Sequence, residues 1–243
     1  MKPCLEGKEL NKQYKNKDRI TRSLQNVSFC LYPGEILGIV GESGSGKSTL
    51  LKVICGIEKP DSGILLHDGV PYTGAGPKKT GSFLQMVFQD AYGSFDPRMR
   101  MEKSLREAGG TNREELLKTI SAVGLQEHLL QRKPKNLSGG QCQRMSIARA
   151  LLMHAKVLLC DEITSALDVT TQAQVIRLLT DLRDSEGVSI MLVSHDLALV
   201  SMICDRIMVM KEGVIVEEGK TEEIIRDPRD SYTRRLIDSV LQV

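Results

Sequence analysis

The chain has 243 residues, of which 41% are hydrophobic, and this is enough to build one large globular domain or two closely packed subdomains. Its 33 Lys and Arg nearly balance 31 Asp and Glu, for a formal charge of +2, which argues against a nucleic-acid partner and against a polybasic membrane anchor. The sequence has no apolar run near the roughly 20 residues of a membrane span, and residues 1–6 lack the hydrophobic segment of a secretory signal.

The first predicted elements are a buried strand over residues 35–40 and a helix over residues 49–55. The residues between them fit the pattern G-x-x-x-x-G-K-S/T, whose glycines turn backbone N–H groups onto phosphate oxygens at a helix N-terminus. We expect Lys47 to reach the β- and γ-phosphates and Ser48 to place its hydroxyl on Mg²⁺. The alternative is a Gly/Ser-rich turn without function. The predicted nucleotide-binding residues of this loop are Gly41, Ser43, Gly44, Gly46, Lys47, Ser48 and Thr49.

The middle of the chain is helical in pattern from about residue 90 to 153, after a short apolar strand at 86–88. Within it, the pentad L-S-G-G-Q at 137–141 leads into a predicted helix, with Ser138 as the N-cap and two glycines that leave N–H groups open to an anion. A capping turn of this kind is common, but this pentad is expected by chance in only about one chain in several thousand.

Two further buried strands end in polar residues. The strand at 157–162 ends in Asp161 and Glu162, and the strand at 189–194 is followed by His195. Taken alone, a strand ending in acids is common and a lone histidine is more often structural. The alternation of strands and helices over 156–209 predicts a mainly parallel sheet, and it is followed by a hairpin at 211–219 and a closing helix at 231–241.

The order of these motifs resembles the ATP-binding cassette (ABC) family. The resemblance implies an α/β fold: a P-loop NTPase (RecA-like) core with a mainly parallel sheet, an antiparallel β subdomain and an inserted α-helical subdomain. We expect one cassette over residues 1–243, with residues 1–89 and 154–243 as the nucleotide-binding core and 90–153 as the helical signature subdomain.

The resemblance also assigns the catalytic roles. Glu162 would accept a proton from the attacking water, while His195 and Gln89 would position the γ-phosphate and the water, and Lys47 would stabilise charge. Without the resemblance to this family, we would interpret Gln89 as an ordinary loop residue. The residues implied for Mg²⁺ are Ser48, Gln89 and Asp161.

A single cassette cannot complete its own site in this family, because the signature turn meets ATP held by a second cassette. The resemblance therefore implies a head-to-tail dimer with a second ABC ATPase, either a copy or a paralogue. Asp168 lies in the segment that resembles the interface D-loop, although it also reads as a helix cap before Val169. Tyr14 stands where the family usually has an aromatic residue that stacks on adenine, although a tyrosine at the end of a strand usually only packs against neighbouring side chains. The signature residues implied to contact nucleotide are Ser138, Gly139, Gly140 and Gln141.

Three segments, 87–99, 165–176 and 227–237, resemble the ATPases of peptide and nickel importers. By that resemblance two membrane permeases, an extracytoplasmic substrate-binding protein and the cytoplasmic face of a bacterial or archaeal membrane are implied. Ile163 and residues 135–136 depart from the branch pattern. The rival interpretations are an exporter ATPase with the same core and a soluble ABC protein.

The cysteines are scattered and form no C-x-x-C pair, which predicts neither a disulfide framework nor a zinc site and favours reduced thiols. The last cysteine is at position 204, so the resemblance does not extend to an iron–sulfur cluster. The six cysteines are Cys4, Cys30, Cys55, Cys142, Cys160 and Cys204.

Overall fold

A computed structural model of the chain describes residues 2–16, 19–72, 83–110 and 112–241. These residues form two β-sheets and the helices that pack on them. The strands are β1 (Leu5–Asn16), β2 (Arg19–Leu31), β3 (Ile36–Val40), β4 (Ser62–His67), β5 (Val70–Tyr72), β6 (Leu84–Val87), β7 (Val157–Asp161), β8 (Ser189–Val193), β9 (Arg206–Lys211) and β10 (Val214–Lys220). The α-helices are α1 (Lys47–Ile54), α2 (Met101–Glu107), α3 (Arg113–Ala122), α4 (Gly139–Leu152), α5 (Val169–Glu186), α6 (Leu197–Ile203), α7 (Thr221–Arg226) and α8 (Ser231–Leu241).

The larger sheet has six strands in the order β10-β9-β3-β8-β7-β6, and all its neighbours are parallel except the β9–β10 hairpin. Every residue of β3 and β8 is buried, as expected for central parallel strands covered on both faces. The hairpin turns at Glu212 and Gly213, which both have positive φ angles, +47° and +83°. This conformation is typical of a type I′ turn, so the predicted position of the turn is confirmed.

The smaller sheet is antiparallel, with the order β2-β1-β4-β5. Its long strands β1 and β2 pair with several register shifts, and Tyr14 of β1 lies opposite Thr21 of β2. The sheet packs over one face of the six-stranded sheet.

Alternating side chains of β3 divide the hydrophobic core in two. Ile36 and Val40 belong to a cluster shared with α4, α5 and α6, whereas Leu37 and Ile39 pack with α1 and the antiparallel sheet. Both faces of β3 are therefore fixed, and so is the loop that follows its last residue.

The predicted strands and helices are confirmed, although most of their bounds shift by one or more residues; the strand predicted at 86–88, for example, is β6. The helix expected at residue 49 begins at Lys47. The helical pattern expected from residue 90 begins only with α2 at Met101, because Asp90 and Asp96 direct their carboxylates to nearby backbone N–H groups and hold turns instead. Among the described residues, no helix combines the length and the apolar character that crossing a bilayer requires.

Candidate functional site

The loop between β3 and α1 requires glycine at two positions. Gly41 has a φ of +148° and Gly46 a φ of +109°. A Cβ at Gly41 would run into the carbonyl oxygen of Met210 on β9, and one at Gly46 into that of Ser23 on β2. The loop is therefore seated against both sheets, and its path excludes larger side chains.

The tip of this loop exposes unused hydrogen-bond donors. The backbone N–H groups of Ser43, Gly44 and Gly46 find no acceptor among the residues that the structure describes. Helix α1 begins directly afterwards and has no acidic residue in its first turn, where Thr49 is half-buried. Free donors and the positive end of a helix dipole together favour a bound anion.

Lys47 lies buried beneath the loop, with 5% of its surface exposed. Its Nζ donates to the carbonyl oxygens of Gly41 at 2.7 Å and Glu42 at 2.8 Å. Burial lowers the pKa of Lys47, and the neighbouring carboxylates of Glu162 and Asp161 oppose this shift. Among the described residues, the contacts of Nζ within hydrogen-bond distance are all neutral oxygens, so a phosphate bound here would supply an anionic partner.

Ser48 and Asp161 join the loop to the end of β7. The Ser48 hydroxyl donates to Asp161 Oδ1 at 2.9 Å. Burial raises the pKa of Asp161, the Ser48 hydrogen bond works against the rise, and the charge of Glu162 adds to it. A hydroxyl and a carboxylate are oxygen ligands that suit Mg²⁺, which in nucleotide sites takes few protein ligands and several phosphate or water oxygens.

Glu162 leaves β7 in the left-handed region, with a φ of +47°. Its N–H donates to the carbonyl of Val193 at 3.1 Å, so the bend is tied to the end of β8. His195 follows β8, is 64% exposed at its side chain, and places Nδ1 3.9 Å from Glu162 Oε2. A non-glycine residue in this region costs energy, and such strain is concentrated at functional sites. The structure therefore brings the predicted acid and the predicted histidine together.

Gln89 reaches the same edge from the end of β6. Its Nε2 donates to Ser165 Oγ at 3.1 Å, and the Ser165 hydroxyl donates to the carbonyl of Glu162 at 2.9 Å. Ser165 thus links Gln89 to the backbone of Glu162, a role that we did not predict. Its spacing of three residues after Glu162 is typical of a side chain that bonds back to a turn, which was the available signal.

The signature turn forms a complete capping box. Gln141 N–H donates to Ser138 Oγ at 3.2 Å, and Ser138 N–H donates to Gln141 Oε1 at 3.0 Å. Ser138 is therefore the N-cap of α4, as predicted. A Cβ at Gly139 would lie 3.5 Å from Leu167, whereas one at Gly140 would collide with the methyl group of Thr171. These contacts place the turn beside the start of α5.

Asp168 caps α5, as the alternative interpretation of this residue expected, while its place at a dimer interface stays a prediction. Its carboxylate accepts from the N–H of Thr171 at 3.0 Å and from the hydroxyl of Thr171 at 2.7 Å. The backbone hydrogen bond from Thr171 is the main cause that lowers the pKa of Asp168. Val169, the next residue, is 82% exposed, and an apolar side chain this open suits contact with another molecule.

Tyr14 is 38% exposed on β1, and Lys12 Nζ lies 5.4 Å from its ring centre. It pairs with Thr21, only two residues before Ser23, whose carbonyl lies against Gly46 of the loop. The antiparallel sheet therefore presents an exposed aromatic ring on the strand next to the one that contacts the loop.

Comparison with known proteins gives concordant matches. Residues 24–165 match the family model described as ABC transporter. The chain is 41% identical over 231 residues to the oligopeptide transport ATP-binding protein OppF of Escherichia coli strain K12, an alignment that covers 90% of this chain and 69% of the relative. It is 39% identical to the dipeptide transport ATP-binding protein DppF of the same organism, over 98% of this chain and 76% of that protein.

A solved structure agrees with the sequence matches. The dimeric, post-hydrolysis structure of the ATP-binding cassette MJ0796, bound to ADP and phosphate, superimposes with a TM-score of 0.79 at 29% identity. The match covers 89% of this chain and 98% of that one.

Proposed function

The chain belongs to the ABC transporter family, and from this premise we propose that it is the ATP-hydrolysing subunit of a peptide importer. The observation that carries the proposal is that two pairs of side chains lie next to each other at the end of β7, close to Lys47. In the first pair Ser48 donates to Asp161, and in the second His195 lies near Glu162. Relatives named for oligopeptide and dipeptide transport favour peptides over nickel as the cargo.

ATP hydrolysis follows from the positions of four side chains. Lys47 and the loop N–H groups of Ser43, Gly44 and Gly46 bind the phosphates, and they stabilise the charge that shifts onto the leaving ADP. The Glu162 carboxylate accepts a proton from water as the water oxygen bonds to the γ-phosphorus and the bond from that phosphorus to the β–γ bridging oxygen breaks, which releases ADP. His195, 3.9 Å from that carboxylate, holds the γ-phosphate in line with the water. Gln89 is fixed through Ser165 next to Glu162 and orients the same water.

The oxygen pair of Ser48 and Asp161 fits Mg²⁺, and Gln89 is the third residue that we assign to it. When bound, the ion neutralises phosphate charge. Asp161 is held ready for this role by the Ser48 hydrogen bond, although burial opposes its charge.

We further propose that the site is completed by a second cassette, either another copy or a paralogue. The signature turn faces α5 within its own chain, and the N–H groups of Gly139 and Gly140 at the start of α4 would bind ATP held by the partner's loop between β3 and α1, the P-loop. The exposed Val169 beside Asp168 suits that interface. In this arrangement residues 90–153 act as a helical unit that carries the signature, and residues 1–89 with 154–243 carry the P-loop.

Membrane permeases are the partners that this function requires, and an extracytoplasmic binding protein is part of the same proposal. A groove of about 430 Å³ lies beside Phe88, the neighbour of Gln89, and is lined by the residues that directly follow α1 and by β6 and α4. Ile57, at its rim, is 55% exposed. We assign this groove to a permease segment, which would hold the chain at the cytoplasmic face of the membrane as a peripheral subunit.

The decisive experiment is the hydrolysis of MgATP by Glu162→Gln. The amide keeps the shape of the side chain but cannot accept the proton of water, so we expect hydrolysis to fall about 10²–10⁴-fold while ATP binding is retained. The measurements are phosphate release and nucleotide affinity for both proteins.

The matched control is Glu222→Gln, which neutralises an exposed glutamate on α7 and should leave both quantities unchanged. Undiminished hydrolysis by Glu162→Gln would remove Glu162 from the role of general base. Failure of the unmodified chain to bind MgATP would overturn the proposed function as a whole.

A further inference from the structure

The hydroxyl of Tyr232, in the first turn of α8, contacts the P-loop directly. It accepts a hydrogen bond from the backbone N–H of Glu42 at 2.9 Å across a separation of 190 residues. Tyr232 is 5% exposed, and Lys211 Nζ lies 5.3 Å from its ring centre. We propose that Tyr232 is a positioning residue of the nucleotide site, an inference that rests on the proposed ATP-binding function.

Glu42 connects the tyrosine to the buried lysine. Its N–H bonds to the hydroxyl of Tyr232, while its carbonyl accepts from Lys47 Nζ at 2.8 Å. A change in the orientation of this residue would therefore change where the ammonium of Lys47 is held. Tyr232 acts on the phosphate site through Glu42 and touches no phosphate itself.

The P-loop is held at two points, and its exposed tip lies between them. On one side Glu42 is bound by α8, and on the other the carbonyl of Ser45 accepts from the N–H of Gly213 at 2.9 Å. Ser43 and Gly44 lie between these two anchors, with their N–H groups unused among the described residues. Fixing both ends of a short loop keeps its donors in place before a ligand arrives, which lowers the cost of ordering them on binding.

The tyrosine is itself held firmly by the strand β10. The carboxylate of Glu217 accepts from the N–H groups of Arg229 at 2.9 Å and Asp230 at 3.1 Å. Asp230 Oδ1 in turn accepts from the N–H of Tyr232 at 2.7 Å. A continuous series of hydrogen bonds therefore runs from β10 through the start of α8 to the P-loop.

The test is the affinity of Tyr232→Phe for MgATP. The substitution removes one hydroxyl and keeps the ring, so Glu42 loses its acceptor while the packing of α8 is retained. We expect the dissociation constant for MgATP to rise about three- to tenfold, the range that corresponds to one net hydrogen bond.

Tyr72→Phe is the matched control, because the Tyr72 hydroxyl donates to the carbonyl of Ile54 at 3.1 Å, in the last turn of α1. Both variants lose one phenolic hydrogen bond, so a purely structural role would lower both unfolding temperatures and leave both affinities unchanged. We expect only Tyr232→Phe to change the affinity.

Hydrogen exchange on the unmodified, nucleotide-free chain tests the contact without any substitution. The amide of Glu42 should exchange more slowly than the amide of Ser43, which has no acceptor among the described residues. Equal exchange at the two amides, equal MgATP affinity of Tyr232→Phe and the unmodified chain, or an equal loss in Tyr72→Phe would each overturn the inference. If the unmodified chain binds MgATP and these tests fail, the proposed function stands and only the role of Tyr232 falls.

Discussion

At the scale of single residues, Asp161 is a carboxylate whose burial opposes its charge and whose neighbour Glu162 is also acidic. These causes raise the pKa of Asp161 in the folded chain. At pH values above that pKa, ionised Asp161 therefore destabilises the nucleotide-free chain, and this destabilisation is lost as the pH falls through the pKa of the folded state. We expect Asp161→Asn to stabilise the nucleotide-free chain at neutral pH by about 0.5–2 kcal/mol, the usual gain from relaxing a functional site.

The same substitution should abolish the thermal stabilisation that MgATP gives to the unmodified chain, because an amide is a poor ligand for Mg²⁺. Thermal unfolding with and without MgATP, measured from pH 5 to pH 8, checks both statements. Asp181→Asn, at an exposed position of α5, is the control and should change neither quantity. A nucleotide-free Asp161→Asn chain less stable than the unmodified one at neutral pH would contradict the assignment.

At the scale of elements, the approach of α4 to α5 depends on the absence of a side chain at Gly140. A Cβ there would collide with the methyl group of Thr171, whose hydroxyl is committed to Asp168. We expect Gly140→Ala to destabilise the chain by about 1–3 kcal/mol through overpacking, measured by denaturant unfolding.

Thr171→Ser should rescue Gly140→Ala, because serine lacks the methyl group and keeps the hydroxyl that bonds to Asp168. A double-mutant cycle measures this coupling. Gly139→Ala is the comparison, since its Cβ would lie at an ordinary 3.5 Å from Leu167, and it should cost less than Gly140→Ala. Equal costs at the two glycines, or no rescue by Thr171→Ser, would show that the helices do not meet as described.

Most elements of the site could be predicted from the sequence because each has a local signal. The P-loop is one contiguous pattern, the cap at Ser138 depends on a residue three positions away, and Asp161 and Glu162 directly follow an apolar run. Parallel strands then bring their carboxyl ends to one edge without any further information.

The contacts that escaped prediction join residues that are distant in the sequence or depend on exact backbone geometry. The bond from Glu42 to Tyr232 spans 190 residues, and nothing near either residue indicates it. The left-handed conformation of Glu162 carries no residue signal, since glycine or asparagine would be expected at a φ of +47°. It arises because the backbone of Glu162 is bonded to Val193 on the neighbouring strand.

At the scale of the whole molecule, the two groups of residues that we propose bind nucleotide belong to different parts of the fold. The P-loop is seated between the two sheets, against Met210 and Ser23, whereas the signature turn rests on α5 through Gly140 and Thr171. A site that needs both groups on one ATP is therefore best built from two chains, and the proposed dimer accounts for the separation.

This arrangement makes a prediction that a self-sufficient chain could not satisfy. Lys47→Ala removes the lysine that we propose binds phosphate, and Gly139→Asp places a negative charge at the start of α4, where it should repel phosphate. Each variant alone should be inactive. In an equimolar mixture about half of the dimers are mixed, and each mixed dimer has one site with an intact P-loop from one chain and an intact signature from the other. We therefore expect ATP hydrolysis to recover to about a quarter of the unmodified rate.

The control is a mixture of Lys47→Ala with a chain that carries both Lys47→Ala and Gly139→Asp. It should stay inactive, because neither chain in it has Lys47. If the unmodified chain hydrolyses ATP on its own and the first mixture is nevertheless as inactive as its components, the site is not shared between copies of this chain, and the proposed role of the signature turn in completing the partner's site is wrong.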